Sequence, residues 1–365
     1  MPHPSPRHAR TPRTAAGRLA RAGSVLLGLG LVAATAFAVH GQTAAGPAAT
    51  VADSAEAAAT PVSEHGQLRV CGIKLCDENG QRVQLTGMSS HGLQWFSHCL
   101  TDASLDTLAY DWNADVLRVS MYIQEGGYET DPRGFTDRVH GLIEEATERG
   151  MYVIVDWHML SPGDPNHNLA AARTFFAEIA DVHADKDNLL YEIANEPSGV
   201  PWSSIKSYAE QVIPVIRAED PEAVVLVGTR GWSSLGLSEN GDHREITANP
   251  VNADNIMYVF HFYAASHTSF HREGFRAAAQ ELPLFVTEFG TQEYTGDGPN
   301  DFASSQAYLD LLEQEQISWV NWNFSDDFRS GAVFQTGSCG SGDWNSLKPA
   351  GQWIRDRIRE SGTAA

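Results

Sequence analysis

Eight short apolar, β-branched runs recur between residues 83 and 325, and no other feature restricts the possible folds so tightly. They are VQLTGMS (83–89), VLRVSMY (116–122), YVIVDWH (152–158), LLYEIANEP (189–197), VVLVGT (224–229), IMYVFHFY (256–263), LFVTEFG (284–290) and SWVNWNFS (318–325). Their starts lie 28 to 37 residues apart, the length of a strand, a helix and two turns. The intervening stretches DRVHGLIEEATERG, LAAARTFFAEIADVHAD and SIKSYAEQVIPVIRAED place apolar residues at helical spacing, the first with a Gly stop. Strands that are apolar throughout and alternate with helices imply a parallel sheet covered by helices. Eight such units predict a closed (β/α)8 (TIM) barrel. A doubly wound open sheet is the alternative, but no G-x-G-x-x-G follows an early strand and no phosphate-binding G-x-x-x-x-G-K-[ST] occurs.

The chain flanking this pattern is of a different kind. Residues 1–21 hold Arg7, Arg10, Arg13, Arg18 and Arg21 and no acid; an apolar run, Ser24–Val39, contains Ala36-Phe37-Ala38. This reads as a secretory signal peptide over residues 1–38, too short in its apolar part for the roughly 20 residues of a membrane span. Residues 39–65 are mostly Ala, Thr, Pro and Gly and are expected to be a disordered leader. The catalytic domain is expected over 66–362, opening with QLRVCGIKLCDENGQRV, a small hairpin turned at Glu78-Asn79-Gly80 that plugs the N-terminal end of the barrel.

Net charge is −21, and more negative once the signal arginines are gone. That argues against nucleic acid or an anionic membrane as partner and for a neutral one. The four cysteines, Cys71, Cys76, Cys99 and Cys339, form no paired C-x-x-C and suit disulfides in an exported, extracellular protein. Cys71 and Cys76 flank GIKL and could close the hairpin; Cys99 and Cys339 then pair by default.

Nearly every run ends in a residue able to handle a ligand. His91 lies just past the first run, Arg118 and Tyr122 on the second, His158 on the third, and Asn195 and Glu196 end the fourth. Trp232 follows the fifth, His261 and Tyr263 end the sixth, Glu288 closes the seventh, and Trp322 sits on the eighth. In such a barrel the strand C-termini converge on one face, where active sites sit. Mid-strand Asp156 and Glu192 read as a satisfied polar layer of the core, and Arg118 either as part of that layer or as an orienter of a carboxylate. Trp112, Trp319 and Trp353 read as core; Trp95, Trp202, Trp232 and Trp322 as exposed platforms. Two carboxylates at strand mouths among apolar neighbours are costly unless used or paired. Paired carboxyls with aromatic faces suit glycosidic cleavage. A metal hydrolase would need an H-x-H at the first strand or an H-E-x-x-H, and a serine hydrolase a G-x-S-x-G; none is present.

The motifs GMSSHGLQWF, LRVSMY, VIVDWH, YEIANEP, GTRGW, HFYAASH, VTEFG and WNFSDD, in this order, resemble those of glycoside hydrolase family 5, secreted bacterial endoglucanase branch, from about Gln67 to Arg359. The resemblance implies retaining endo-hydrolysis of β-1,4-glucosidic bonds by a monomer without cofactor or metal, with β-glucan as partner. β-Mannanase or mixed-linkage glucanase activity on the same scaffold, or a non-catalytic carbohydrate-binding barrel, are the alternatives. It implies Glu196 as acid/base and Glu288 as nucleophile. Asn195 would bond the sugar 2-hydroxyl, Arg118 would hold Glu288 ionised, Tyr263 would touch Glu288, and His261 would sit near the acid/base. His91 and His158 would line that subsite with Tyr122 on the neighbouring strand, Trp322 beneath the sugar, Trp95 one subsite out and Trp232 on the leaving side. Where many members place a Lys shortly after the eighth-strand Trp, this chain has Asp327 and Arg329.

Overall fold

The computed structural model describes residues 59–361; the expected signal peptide and most of the leader lie outside them. Ten strands are found among the described residues. Two short antiparallel ones, β1 (Arg69–Cys71) and β2 (Lys74–Cys76), precede a closed barrel of eight parallel strands. These are β3 (Thr86–Ser90), β4 (Val116–Tyr122), β5 (Tyr152–His158), β6 (Leu189–Glu192), β7 (Val224–Val227), β8 (Ile256–Tyr263), β9 (Leu284–Gly290) and β10 (Trp319–Phe324). Neighbours in sequence are neighbours in space, and β10 closes onto β3. The predicted (β/α)8 barrel is what the chain forms.

All eight barrel strands are buried along their whole length, because one face meets the barrel interior and the other the helices. The first long helix, Pro132–Glu148, shows how the outer layer is specified. Asp131 caps it by accepting from Gly134 N–H, Pro132 occupies its first turn, and Phe135, Val139, Leu142, Ile143 and Ala146 form its buried stripe. Helices Leu169–His183 and Trp202–Arg217 bury a similar apolar stripe without a side-chain cap, the latter running through Pro214.

Alternation along the strands sorts the interior into layers. Val116, Tyr152, Ile154, Leu190, Leu226, Met257, Val259, Phe285 and Val320 form an apolar floor, and Leu68, Leu75, Val83 and Leu85 pack into the same cluster. The N-terminal hairpin therefore does plug the barrel. Its turn differs from expectation: Cys71 pairs with Lys74 across Gly72-Ile73 (Gly72 φ 67°), and Glu78–Gly80 makes a second reversal, closed by a Cys76–Arg82 bridge and by hydrogen bonds from Asp77 N–H to Gln81 O and Gly80 N–H to Asp77 O. The tail of the leader is also ordered. Pro61–His65 form one helical turn with a Thr60/Ser63 capping box, and Val62 N–H donates to Gly150 O. Its apolar Val62 explains this, since it packs on the floor cluster. Both disulfides pair as expected, Cys71–Cys76 and Cys99–Cys339.

Candidate active site

Above the apolar floor the inward positions turn polar. Arg118 on β4 is fully buried and its guanidinium is saturated with acceptors. Nε donates to Glu192 Oε2 (2.7 Å), Nη2 to Glu192 Oε1 (3.0 Å) and Asn195 Oδ1 (2.7 Å), and Nη1 to Ser89 Oγ (3.2 Å), Ser120 Oγ (3.1 Å) and Glu288 Oε2 (3.1 Å). Asp156 Oδ2 lies 3.0 Å from Nη2 and 2.6 Å from His158 Nδ1. Both readings offered for Arg118 therefore hold. It pairs with Glu192 and with Oδ2 of Asp156, whose Oδ1 has no hydrogen-bond partner among the described residues, and it donates to one oxygen of Glu288.

Glu288 reaches this position through an irregularity in β9. Val259 pairs with Phe285 and His261 with Glu288, so β9 spends three residues where β8 spends two. Such a bulge re-aims side chains. Strict alternation from inward Phe285 would turn Glu288 outward. The extra residue brings both Thr287 and Glu288 inside, where Thr287 Oγ1 donates to Glu192 Oε1 (2.9 Å) and Tyr263 Oη donates to Glu288 Oε1 (2.6 Å).

Asn195 and Glu196 do not close the fourth strand; β6 ends at Glu192, and they stand on the segment beyond it. That segment is fixed by the turn after β7. There Gly231, Trp232 and Ser233 all take positive φ (74°, 58° and 53°), which for Trp and Ser is a strained conformation. Trp232 N–H donates to Pro197 O (3.0 Å), and Ser233 Oγ donates to Asn195 O (2.6 Å). One strained turn thus clamps the backbone on both sides of Glu196 and holds the Trp232 ring, 47% exposed, in the cleft.

Glu196 accepts from His261 Nδ1 (3.0 Å), whose Nε2 faces Thr287 Oγ1 (2.9 Å). A carboxylate oxygen of Glu196, one of Glu288 and a ring nitrogen of His261 all lie within 4.8 Å of one another. The two carboxyls are pushed apart electrostatically. Burial raises the pKa of Glu196, and the Glu288 charge adds to this against the opposing His261 hydrogen bond. Burial also pushes Glu288 up, but the charges of His261 and Arg118 outweigh it and the net shift is down. Burial alone would lower His261; Glu288, Glu192 and Glu196 reverse that and hold it at about 9. His158 and His91 are pulled down by burial to about 3 and about 4, so both are neutral rings at pH 7.

The mouth of the barrel is a cleft of about 290 Å³ whose lining includes His91, Trp95, Tyr122, His158, Glu196, Tyr263, Glu288 and Trp322 together with Asp327 and Arg329. His158 stacks between Tyr122 (4.1 Å) and Trp322 (5.3 Å, planes 14° apart). A second cavity, about 550 Å³, shares Glu196 and Tyr263 and adds Trp232, His261 and His267. All twelve expected site residues therefore gather here, Arg118 and Asn195 just beneath the surface.

Trp202 is a correction. It is 4% exposed on a helix, its indole N–H donating to Asn249 O (2.8 Å), and it is core rather than platform. Position after a strand did not reveal that it opens the next helix. Leu160, Tyr294, Thr295, Gly296, Ser238 and His267 line the cavities but were missed, because loop residues carry no periodicity.

Two groups of described residues bring potential metal ligands together: His98, Cys99, Asp326 and Cys339, and Glu196, His261 and Glu288. The first has both sulfurs committed to a disulfide. In the second, both ring nitrogens of His261 already have hydrogen-bond partners, Glu196 Oε1 and Thr287 Oγ1.

The family model for cellulase (glycosyl hydrolase family 5) matches residues 76–328. Endoglucanase E-5 of Thermobifida fusca is 65% identical over 303 residues, 82% of this chain and 65% of that protein. Endoglucanase MaCel5A of Microbulbifer sp. (strain ALW1) is 60% identical over 305 residues, 82% of this chain and 59% of that protein. The chain thus spans under two thirds of the length of these two relatives. The crystal structure of the catalytic domain of T. fusca endoglucanase Cel5A superposes with TM-score 0.82 at 64% identity, covering 82% of this chain and all of that one; the same values hold for a variant of that domain in complex with cellotetraose.

Proposed function

The chain belongs to glycosyl hydrolase family 5, the cellulase family, and from that premise we propose that it is an exported endo-β-1,4-glucanase acting with retention of configuration. The observation that carries the reading is the oppositely tuned pair, Glu196 raised and Glu288 lowered, with oxygens within 4.8 Å. A retaining mechanism needs carboxyls about 5–5.5 Å apart, an inverting one roughly 6.5–9.5 Å.

Glu196, protonated, donates its proton to the leaving glycosidic oxygen. Glu288, kept anionic by Arg118 and His261 and aligned by Tyr263, attacks the anomeric carbon and forms a glycosyl ester. Glu196, now the carboxylate, takes a proton from water, which attacks the anomeric carbon and releases the sugar from Glu288. The carboxyls are acid and nucleophile, so the reaction calls for no cofactor. Neutral His91 and His158 and the faces of Trp322, Tyr122 and Trp95 suit an uncharged sugar. Cellotetraose bound to a variant of the homologous catalytic domain supports a β-1,4-glucan as substrate. The N-terminal basic and apolar pattern and the two disulfides support export. Among the described residues no helix is long and apolar enough to cross a membrane.

Hydrolysis rates on carboxymethylcellulose, lichenan, glucomannan and xylan test the substrate; carboxymethylcellulose should be cleaved fastest of the single-linkage polymers, and a preference for glucomannan or xylan overturns the assignment. NMR of the first product should show the β-anomer. An α-anomer rules out retention.

A further inference from the structure

Beyond the cavity that holds Trp232 lies a separate groove of about 570 Å³, walled by Leu237, Asp242, Arg244, Phe270 and Glu273. Phe270 is 64% exposed, in the first turn of the helix Ser269–Ala278. The partition between cavity and groove is thin. Ser238 lines the cavity and its neighbour Leu237 the groove, and Ser238 Oγ lies 3.4 Å from His271 Nε2.

A line of rings crosses this partition. Tyr263, whose hydroxyl holds Glu288, lies 6.4 Å from His267; His267 lies 4.4 Å from His271; and His271 meets the edge of Phe270 at 5.3 Å. His267 Nδ1 accepts from Tyr263 N–H (3.0 Å). In the neutral ring its proton therefore sits on Nε2, free to donate to a ligand. Burial holds both imidazoles below their usual range, His267 at about 4. An uncharged aromatic track ending in an exposed phenyl ring rimmed by Asp242, Arg244 and Glu273 offers flat apolar faces and flanking hydrogen-bonding groups. That combination fits a pyranose chain, with its C–H faces and equatorial hydroxyls.

We propose that this groove is a remote subsite for the leaving side of a β-1,4-glucan chain, reached from Trp232 over His267 and His271, with Phe270 as its platform. The proposal rests on the glucanase reading above. It commits to one occupant because the groove adjoins, across Leu237 and Ser238, the cavity that holds Glu196 and Trp232, so a chain leaving that cavity meets the groove next. Long chains reach it; substrates with a short leaving group do not.

The test compares kcat/KM of the wild type and Phe270→Ala on an aryl β-cellobioside, whose leaving group is a single ring, and on cellohexaose and longer cello-oligosaccharides. Phe270→Ala should match the wild type on the aryl glycoside and lose roughly three- to tenfold on long chains, the size of one aromatic contact, mainly through KM. Phe270→Trp should keep the long-chain activity. If Phe270→Ala equals the wild type on long chains, or loses as much on the aryl glycoside, the groove is not a subsite. Should the wild type cleave no β-1,4-glucan of any length, the glucanase reading itself falls, an outcome distinct from failure of the groove alone.

Discussion

Replacing Tyr263 by Phe removes one donor from one oxygen of Glu288 and leaves the rest of the ring. Each oxygen of that carboxylate has one protein donor, Tyr263 Oη at 2.6 Å on Oε1 and Arg118 Nη1 at 3.1 Å on Oε2. The substitution therefore leaves Oε1 without a protein donor in a site where Glu288 is 3% exposed. A hydrogen bond to a charged group contributes about 1.5–3 kcal/mol, and one pKa unit corresponds to about 1.36 kcal/mol, so the expected shift is roughly one to two units. The bond stabilises the anion, so its loss raises the pKa of Glu288. The acid limb of kcat/KM against pH should then move to higher pH. The basic limb follows Glu196, whose hydrogen-bond partner is His261, and should stay in place. The bell narrows from the acid side only. Rates on an aryl β-cellobioside between pH 3 and pH 9 would show this, with thermal unfolding as a control for folding. An acid limb that stays put, or moves to lower pH, refutes the account of how Glu288 is kept ionised.

Glu288→Gln should abolish turnover on every substrate. Glu196→Gln should still form the glycosyl-enzyme from a substrate with a good leaving group, and azide should rescue its breakdown to a β-glycosyl azide; an α-azide contradicts retention. Trp322→Ala should cost roughly tenfold or more in kcat/KM per folded molecule, because its face lines the cleft. Trp112→Ala, which empties a site 1% exposed beside Phe324, should cost about 3–5 kcal/mol of stability and spare activity per folded molecule; equal activity losses would mean that core and cleft have been confused. Cys99→Ser opens a bridge spanning 240 residues and should cost about 5 kcal/mol or less by unfolded-state entropy, read as a lowered Tm; an unchanged Tm shows that noncovalent contacts alone hold those loops.

What the sequence made legible is what periodicity encodes. Eight apolar runs at one spacing pointed to a ring over an open sheet, and polar residues at the run ends had to meet once the ring closed. What escaped it depends on local backbone detail. The bulge that turns Glu288 inward leaves no mark in VTEFG, and strict alternation would have pointed that residue at the helices. Val83 and Leu85 look like the start of a strand, yet they fill the floor below it. Trp202 follows a strand in sequence as Trp232 does, and the two differ only in what the backbone does next, helix in one case and a left-handed turn in the other. Tyr294, 70% exposed on the β9 loop, could be placed in the cleft only once the loop had been seen.

The pairing of β10 with β3 is a seam: it is where the ring of strands joins its own beginning. Cys99–Cys339 bridges that seam from the loop after β3 to the loop after β10. The chain between these two cysteines, which carries seven of the eight barrel strands, is therefore a covalent loop as well as a folded one. A protease that cuts it once, anywhere from Cys99 to Cys339, produces two segments that remain one molecule. Scission in an exposed loop would then be visible on a reducing gel and invisible on a non-reducing one, and neither segment could diffuse away before the barrel re-formed.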